Sequence, residues 1–495
     1  MDDRIALNPN KLVKHLGKPA EEFTKKDIIK FIGDNDIRML NFRYIGGDGR
    51  LKTLNFVINN KAYLDRILSI GERVDGSSLF SYIDPTSSDL YVVPRYKTAF
   101  LNPFITAFPT LDILCSFYTR DGVPLESSPG YVVKKAHNIL KEKTGFTMEA
   151  LGELEYYLFS EVDSIYPITQ QKGYHESHPF SKWEVVRREA MMHISEMGGQ
   201  IKYGHAEVGN IIHNDIEMVQ HEIEFLPTPI EDAADQMVIA KWVVREVAYK
   251  YNLEVSFAPK IIVGHAGSGL HFHMRLVKDG KNIMADNKGL TDTAKKMIAG
   301  LLELAPSLTA FGNTVPTSFL RLVPHQEAPT SICWGDRNRS VLVRVPLGWL
   351  GVENMIYDAN PSEPKENTEY MNSQTVELRS PDGSANVHQL LAGMAVATRK
   401  GLENPDSLKK AEQLYVCAEA SKCKDLKQLP ASCYEAADNL LKDRAVYEEH
   451  GVFPSSMIDK LAKDLKAHDD KDLSEKLFGQ ADSLKALVDK YMHCG

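Results

Sequence analysis

The sequence lacks the local signatures of several large classes of protein. Its six cysteines are far apart and contain no CxxC pair, which argues against both a disulfide framework and a zinc ribbon. The most apolar stretch, residues 101–118, is interrupted by two prolines and by Asp112, so it does not predict a membrane span. The first residues, MDDRIALNPNKL, have no apolar core of the kind found in a signal peptide. We therefore expect a reduced, cytoplasmic protein without a membrane partner.

Two common catalytic motifs are also missing. There is no GxxxxGK[ST] phosphate loop and no HExxH zinc motif. The formal net charge of −9 and the pI near 6.0 argue against a general nucleic-acid partner. A mildly acidic surface leaves room for a small anionic substrate, because a few arginines can build a local positive pocket.

The chain is long enough, at 495 residues, for two or three domains. Up to about residue 125 a hairpin signal with its turn at 46–49 stands among short helices and strands. Beyond it, long helices alternate with isolated strands, and 405–495 is almost purely helical. The pattern predicts an α+β protein with domains 1–125 and 126–495. Helices are predicted at 131–143, 183–197, 231–251, 291–311 and 386–402, and strands at 147–160, 221–226, 254–263, 268–277, 340–346 and 374–380.

The segment GHAGSGLHFH, residues 264–273, ends in an alternating pattern. On a strand, side chains alternate between the two faces, so His271 and His273 share one face. Phe272 and Met274 share the other face of the strand, and their apolar side chains indicate that this face is buried. Each histidine is therefore either a satisfied core histidine or part of a polar site.

Charged residues alternate in the same way on other apolar strands. GELEYYLF pairs Glu153 with Glu155, and QHEIEF pairs Glu222 with Glu224. VELRSPD pairs Glu377 with an arginine, and VLVRVP adds another arginine. One such pair alone would be a wet strand face, but several pairs in apolar strands favour a shared cavity. Buried carboxylates need a partner or a metal, and oxygen-rich ligation favours Mg²⁺ or Mn²⁺ over zinc.

Arginines are concentrated in the same part of the sequence. Arg321 opens RLVPHQEAP, and Arg337, Arg339 and Arg344 lie in RNRSVLVRVP. Guanidinium groups match carboxylate and phosphate oxygens, although surface ion pairs would use the same residues. Carboxylates for a divalent ion together with arginines for phosphate are the components that phosphoryl transfer needs.

Seven blocks in order give the chain a specific resemblance to the type I glutamine synthetases. The blocks are DGSSL (75–79), GELEYYLF (152–159), GHAEV followed by QHEIEF (204–225), GSGLHFH (267–273), RLVPHQEAP (321–329), RNRSVLVRVP (337–346) and VELRSPDGSAN (376–386). The resemblance implies an N-terminal β-grasp-like domain and a larger C-terminal catalytic domain. In the latter, an antiparallel sheet with flanking helices would line an active-site funnel. It further implies a homo-oligomer, two stacked hexameric rings forming a dodecamer, with active sites between subunits.

The resemblance also implies the reaction. Glutamate's γ-carboxylate would attack the γ-phosphate of ATP, and ammonia would then displace phosphate from γ-glutamyl phosphate. The implied partners are L-glutamate, ammonium and ATP as co-substrate, with two or more Mg²⁺ or Mn²⁺ ions in each site.

Site residues follow from the resemblance position by position. One ion would be held by Glu155, Glu207 and Glu222, the last preferred over Glu224 through the QHEI match. A second ion would be held by Glu153, His271 and Glu377. His273 and Arg344 would face the ATP phosphates, and Arg339 and Arg344 would steady the phosphoryl group. Glutamate would be held by Arg321, Arg379 and Gly267. Asp75 from a neighbouring subunit would capture ammonium, Tyr174 would lie near that ammonium, and Glu327 would close the site.

The chain departs from the family pattern at three site positions and by two insertions. Ala266 replaces an asparagine before GSG, Arg275 replaces a serine near the nucleotide, and Thr375 replaces an arginine. Residues 209–219 and 348–374 lengthen two links, and the second is expected to be an exposed loop. The sequence around Tyr415, QLYVCA, does not resemble the tyrosine-centred segment that is adenylylated in many members of the family, so regulation by adenylylation is not expected. The leading function is glutamine synthetase. The alternatives are a γ-glutamyl ligase that uses methylamine or a polyamine, and a non-catalytic binding or structural homologue.

Overall fold

The computed structural model describes residues 4–323, 328–349, 355–364, 373–423, 425–477 and 479–495. Its first part is built on a six-stranded sheet in the order β2-β1-β6-β4-β3, with β5 beside β6. The elements are α1 (Lys11–Leu16), α2 (Lys25–Asp34), β1 (Met39–Ile45), β2 (Leu51–Val57), α3 (Lys61–Ile70), β3 (Glu72–Asp75), α4 (Gly76–Leu79), β4 (Asp89–Pro94), β5 (Phe100–Leu101) and β6 (Thr110–Tyr118).

Chain pairing in this first sheet is mixed. β1 and β2 form the predicted antiparallel hairpin around residues 46–50, and β1 pairs parallel with β6. Helices α2 and α3 bury apolar residues such as Phe31 and Leu64 in a core that is fully within this part of the chain. The boundary predicted at residue 125 stays a prediction.

The second part is larger and contains the remaining strands and helices. They are α5 (Pro129–Thr144), β7 (Thr147–Glu161), α6 (Glu184–Glu196), β8 (Ile201–His213), β9 (Ile216–Phe225), β10 (Thr228–Pro229), α7 (Ile230–Lys250), β11 (Glu254–Ser256), β12 (Leu270–Lys278), β13 (Lys281–Asn282), β14 (Ala285–Asp286), β15 (Gly289–Leu290), α8 (Asp292–Glu303), α9 (Ala305–Gly312), α10 (Ser318–Arg321), β16 (Trp334–Asp336), β17 (Val343–Val345), α11 (Met355–Ala359), β18 (Val376–Leu378), α12 (Val387–Glu403), α13 (Ser407–Gln413), α14 (Cys433–Glu448), α15 (Ser455–Lys466), α16 (Leu473–Lys476) and α17 (Ala481–Lys490).

Ten of these strands form one sheet that positions the candidate site. Its central order is β16-β17-β18-β12-β7-β9-β8, and β10, β11 and β13 pair at its margins. The described pairs are antiparallel except β16 with β17. The α+β class and the predicted sheet with flanking helices are confirmed.

The two faces of this sheet differ as the alternation on β12 predicts. Phe272 and Met274 are fully buried in the large core with residues of α7 and α12. One face of the sheet is therefore dry and covered by helices, and the other face carries the histidines. In the described ranges every helix is too short or too polar to cross a membrane.

Several predicted elements are wrong in extent, among them the strand predicted at 221–226, which is β9 and begins at Ile216. The helix predicted at 291–311 is two helices, α8 and α9, because Pro306 has no N–H to continue the first one. The strand predicted at 254–263 ends at Ser256, and the chain then turns so that Pro259 O accepts a hydrogen bond from Ser268 N.

The insertion at 209–219 forms regular secondary structure. It lengthens β8 and β9 into a hairpin whose tip, Asn214 and Asp215, has φ values of +50° and +62°. Two left-handed residues at the tip match the short turns that join twisted antiparallel strands. The glycines of IKYGHAEVGN had concealed β8, which sequence alone did not predict.

Candidate active site

A cavity of about 1400 Å³ lies against the polar face of the large sheet. Its charged and histidine lining comes mainly from β7, β8, β9, β12, β17 and β18, together with the loop before β12. From the strands these are Glu153, Glu155, Lys202, His205, Glu207, Glu222, Glu224, His271, His273, Arg275, Arg344 and Glu377, from the loop Lys260, and from other segments Arg321, Arg339, Arg379 and Glu419.

Strand register brings these residues together from distant parts of the chain. His271 lies opposite Glu153, and Glu155 lies opposite Glu222. His273 lies opposite Glu377 on the other side of β12. Because paired residues in adjacent strands have neighbouring side chains, the register alone produces a continuous polar surface.

Glu153 joins the two histidines. Its Oε1 lies 2.8 Å from His273 Nε2, and its Oε2 lies 2.9 Å from His271 Nδ1. Burial raises the pKa of the Glu153 carboxyl, but the His273 and His271 rings outweigh burial and hold it well below its ordinary range. Burial lowers the pKa of His273, yet Glu153 and Glu377 raise it overall. Glu153 therefore forms one hydrogen-bonded acid–imidazole group with His271 and His273.

The other end of the carboxylate surface is crowded with like charge. Burial, followed by Glu153, Glu155, Glu207 and Glu224, raises the pKa of Glu222 well above its usual range. Such a carboxyl needs a cation or a proton at neutral pH.

Glu207 reaches this end of the surface from an irregular part of β8. Glu207, Val208 and Gly209 face only Gln220 across the hairpin, because the register shifts between Ala206 and Asn210. A bulge of this kind changes the direction of side chains and is common beside active sites.

Three groups of described residues place metal-ligand atoms within 4.8 Å of one another. They are Glu153 with His273 and Glu377, His205 with Glu207 and Glu222, and Glu153 with Glu222 and Glu224. Both predicted ligand sets are thus brought into one cavity. Within these groups, however, His273 replaces His271 and His205 replaces Glu155. Sequence reasoning did not select His205 as a site residue; its only signal is a position two residues before Glu207 on the same strand face.

Glu155 is held by the loop before β12. Its Oε2 accepts hydrogen bonds from Gly269 N at 2.7 Å and Gln220 Nε2 at 3.1 Å. Gln220 Nε2 also lies 3.0 Å from Gly267 O. A Cβ on Gly267 would lie 2.3 Å from Pro259 O, so this close approach of two backbones requires glycine.

The predicted glutamate-binding arginines lie beside that loop. Arg321 is buried, donates to Ser380 O at 2.8 Å, and places Nη2 3.1 Å from His271 Nε2. Arg379 Nε donates to Glu377 Oε1 at 3.1 Å, and its Nη1 donates to Arg339 O.

Both predicted phosphate-binding arginines lie near Glu377. Arg344 Nη1 donates to Glu377 Oε2 at 2.9 Å. Burial lowers the pKa of Arg339, but the hydroxyl of Tyr174 and the nearby acids raise it overall. Tyr174, Arg339 and Arg344 all line the cavity.

One predicted residue lies elsewhere, and another falls outside the part of the chain that the structure describes. Asp75 is exposed on the first sheet and is not part of the cavity lining within the described chain. Hydroxyls of Ser78, Ser88 and Ser77 hold the pKa of its carboxyl far below the usual range. Glu327 lies outside the described residues.

The positions that depart from the family pattern have partners within the chain. Arg275 contacts Glu149 through Nε at 2.7 Å and Nη2 at 2.6 Å. Thr375 Oγ1 lies 3.0 Å from His273 Nδ1. The insertion at 348–374 is described only in part, and there it contains α11 with exposed Met355 and Ile356.

The donor set fits a divalent cation on one side and an anion on the other. Carboxylate oxygens with one or two imidazoles suit Mg²⁺ or Mn²⁺. Among the described buried side-chain atoms that have no hydrogen-bond partner is Nε of Arg344. A free guanidinium N–H beside the carboxylates would suit a phosphate oxygen.

Comparison with known families matches both parts of the chain. The glutamine synthetase β-grasp domain matches residues 36–120, and the glutamine synthetase catalytic domain matches residues 126–477. A glutamine synthetase of Thermus thermophilus is 31% identical over 444 residues, covering 87% of this chain and 92% of its own. One from Clostridium saccharobutylicum is 32% identical over 432 residues, covering 85% and 90%.

Solved structures share the fold. Plasmodium falciparum glutamine synthetase superposes with a TM-score of 0.73 at 20% identity, covering 91% of this chain and 96% of that one. The ligand-free protein named GmaS superposes with a TM-score of 0.71 at 19% identity, covering 91% and 97%.

Proposed function

The chain belongs to the glutamine synthetase family, and we propose that within this family it joins ammonia to L-glutamate with hydrolysis of ATP. The observation that carries the proposal is the convergence of acidic and basic groups in one cavity. Carboxylates and histidines of five strands face each other there, and arginines from three other segments border them.

The proposed reaction has two steps. An oxygen of the glutamate γ-carboxylate attacks the γ-phosphorus of ATP, and the bond from that phosphorus to the ADP oxygen breaks. Ammonia then attacks the γ-carbonyl carbon of γ-glutamyl phosphate, inorganic phosphate leaves, and glutamine is formed. Ammonium must lose a proton to a base before it can attack.

Two divalent ions are part of the proposal. Glu207 and Glu222, with Glu155 or His205, would hold one ion, and Glu153 and Glu377, with His271 or His273, would hold the other. When bound, such ions neutralise charge that develops on transferring phosphoryl oxygens. The raised pKa of Glu222 supports this assignment, because the crowded carboxylates favour binding of a cation.

The chain's own cations would orient both substrates. Arg321 and Arg379 lie beside the Gly267 loop, where they can bind glutamate's carboxylates. Arg344, with its unpartnered Nε, and Arg339 lie where phosphoryl oxygens would need donors. Holding reactants in this way converts a bimolecular reaction into one of fixed geometry.

An oligomer is required by the proposed role of Asp75. Its exposed position on the first sheet, away from its own chain's cavity, supports a contribution to a neighbouring subunit's site. We propose a dodecamer in which Asp75 captures ammonium and Glu327 completes the pocket. Closure over the acyl phosphate would keep water away.

A γ-glutamyl ligase that uses an amine is the second candidate. The observation that favours it is Ala266, which lines the cavity with a methyl group where the family pattern has an amide. A small side chain leaves room beside the substrate.

Release of phosphate and the mass of the product would test both candidates. Purified protein is incubated with ATP, Mg²⁺ and glutamate, and ammonium is compared with methylamine and putrescine. Glutamine formation that falls more than 100-fold in Asp75→Asn and Arg344→Met would support the synthetase. A preference for an amine would move the assignment to the second candidate. Intact oligomer that turns over no nucleophile would refute both.

A further inference from the structure

Residues 169–175 run alongside the outer edge of β8 and form backbone hydrogen bonds with it, next to the cavity. Gln171 N donates to Asn210 O at 3.0 Å, Gly173 N to Val208 O at 3.2 Å and His175 N to Ala206 O at 2.9 Å. Gly173 fits tightly, since a Cβ there would lie 2.5 Å from the carbonyl oxygen of Glu207. Strand β8, from Ala206 to Asn210 at the start of the insertion, thus supports a segment that ends at the cavity wall.

Gln171 connects this segment to the loop before β12. Its Oε1 accepts a hydrogen bond from Ala266 N at 2.8 Å, and its Nε2 donates to Asn210 O at 3.2 Å. The residue has φ +54°, a conformation that costs free energy for any residue other than glycine. Surrounding contacts must therefore compensate for it, and these two bonds are among them.

The loop 264–269 depends on such support from outside. Ala266 has no polar side chain of its own, and its carbonyl accepts from Tyr157 Oη at 2.8 Å. The next carbonyl, of Gly267, accepts from Gln220 Nε2. Four side chains hold three consecutive peptide groups of this loop: Gln171 and Lys260 the one between His265 and Ala266, Tyr157 the next, and Gln220 the one after Gly267. Of the four, Gln171 pairs with a backbone N–H and the others with carbonyl oxygens.

We propose that Gln171 is a positioning residue for glutamate, acting through Ala266 N, and that the lengthened β8–β9 hairpin supports it. This inference rests on the proposed function, because it takes the Gly267 loop as the place where glutamate binds. The bond from Ala266 N to Gln171 Oε1 orients the peptide group between His265 and Ala266, one residue before Gly267. Its loss would displace the loop and weaken glutamate binding without touching the phosphate-binding arginines.

Gln171→Met tests the proposal, because it keeps the length of the side chain and removes both hydrogen bonds. Lys172→Met is the matched control, since it introduces the same side chain at the adjacent exposed residue. Gln171→Glu is the conservative variant: a carboxylate oxygen can still accept from Ala266 N, while Asn210 O keeps its bond from the Gln171 backbone. Hydrogen exchange of the peptide covering 260–270 is measured together with steady-state kinetics.

We expect Gln171→Met to increase exchange in this peptide and to raise KM for glutamate about tenfold, the effect of one lost buried hydrogen bond. KM for ATP and kcat should stay within twofold, and Gln171→Glu should lie closer to wild type. Unchanged exchange in Gln171→Met, or equal changes in KM for glutamate and ATP, would overturn the inference. A wild-type protein without ligase activity would refute the proposed function instead, while the exchange measurement would still decide whether Gln171 holds the loop.

Discussion

Removing one ionisable carboxyl from the carboxylate cluster should stabilise the metal-free protein, because without a cation Glu222 must either stay charged among like charges or take up a proton that it lacks in the unfolded chain. Glu222 shares one group of ligand atoms within 4.8 Å with Glu153 and Glu224, and a second group with Glu207. At an effective dielectric constant of about 20, two like charges at that distance repel by about 3.5 kcal/mol. Lys202 compensates part of this repulsion through its 2.6 Å contact with Glu224. We expect Glu222→Gln to raise the free energy of unfolding by about 1–3 kcal/mol in the absence of metal.

The same substitution should weaken the response to metal. A ligand that binds only the native state raises its stability, so wild-type protein should unfold at a higher temperature with Mg²⁺ than with EDTA. Thermal unfolding with EDTA and with Mg²⁺ measures both effects. Glu217→Gln is the control, because this glutamate is buried on the same strand but contacts Ser160, outside the cluster. If Glu222→Gln were less stable than wild type in EDTA, or kept the full increment from Mg²⁺, the argument from charge crowding would be wrong.

Three further predictions concern other parts of the chain. Burial lowers the pKa of Lys241 to about 8, so above that pH the folded state binds fewer protons than the unfolded state. The free energy of unfolding of the wild type should therefore rise between about pH 8 and 10.5. Urea unfolding of Lys241→Met over the same pH range should lack this rise. Gly267→Ala forces a Cβ against Pro259 O, and should raise KM for glutamate by at least tenfold while ADP binding by calorimetry stays unchanged. Arg344→Met should lower kcat at least 100-fold and leave KM for glutamate within threefold. Arg344→Lys should recover little of the lost kcat, because one ammonium group cannot contact Glu377 and a phosphoryl oxygen at once as the guanidinium can. Equal losses in kcat and in glutamate affinity would argue against a role in phosphoryl transfer.

The alternation of residues predicted the polar face of the site, but not its pairing. His271, His273, Glu153 and Glu155 were placed correctly on their strands, because a period of two needs only local sequence. Which carboxylate faces which histidine depends on register between strands more than 100 residues apart, such as His271 opposite Glu153. Such long-range pairing leaves no trace in one sequence.

Irregular structure accounts for most of what the sequence did not predict. The bulge at Glu207–Gly209 and the glycines around it interrupt the alternation of β8, so no strand was predicted there and His205 was missed with it. The hairpin insertion contains the apolar alternation of a strand, but its polar tip residues resemble a linker. Pro306, which lacks an N–H, is the signal in the sequence that the helix predicted at 291–311 has to break.

The lengthened hairpin also offers a means of observing the site from a distance. Its exposed tip at Asn214 and Asp215 is joined by two continuous strands to His205 and Glu222. At about 3.3 Å per residue, the tip lies on the order of 20–30 Å from those side chains. A fluorophore or spin label attached there would stay clear of substrates while moving with the strands that carry the carboxylates. The insertion thus provides an attachment site for a probe whose spectroscopic signal would report occupancy of the cavity.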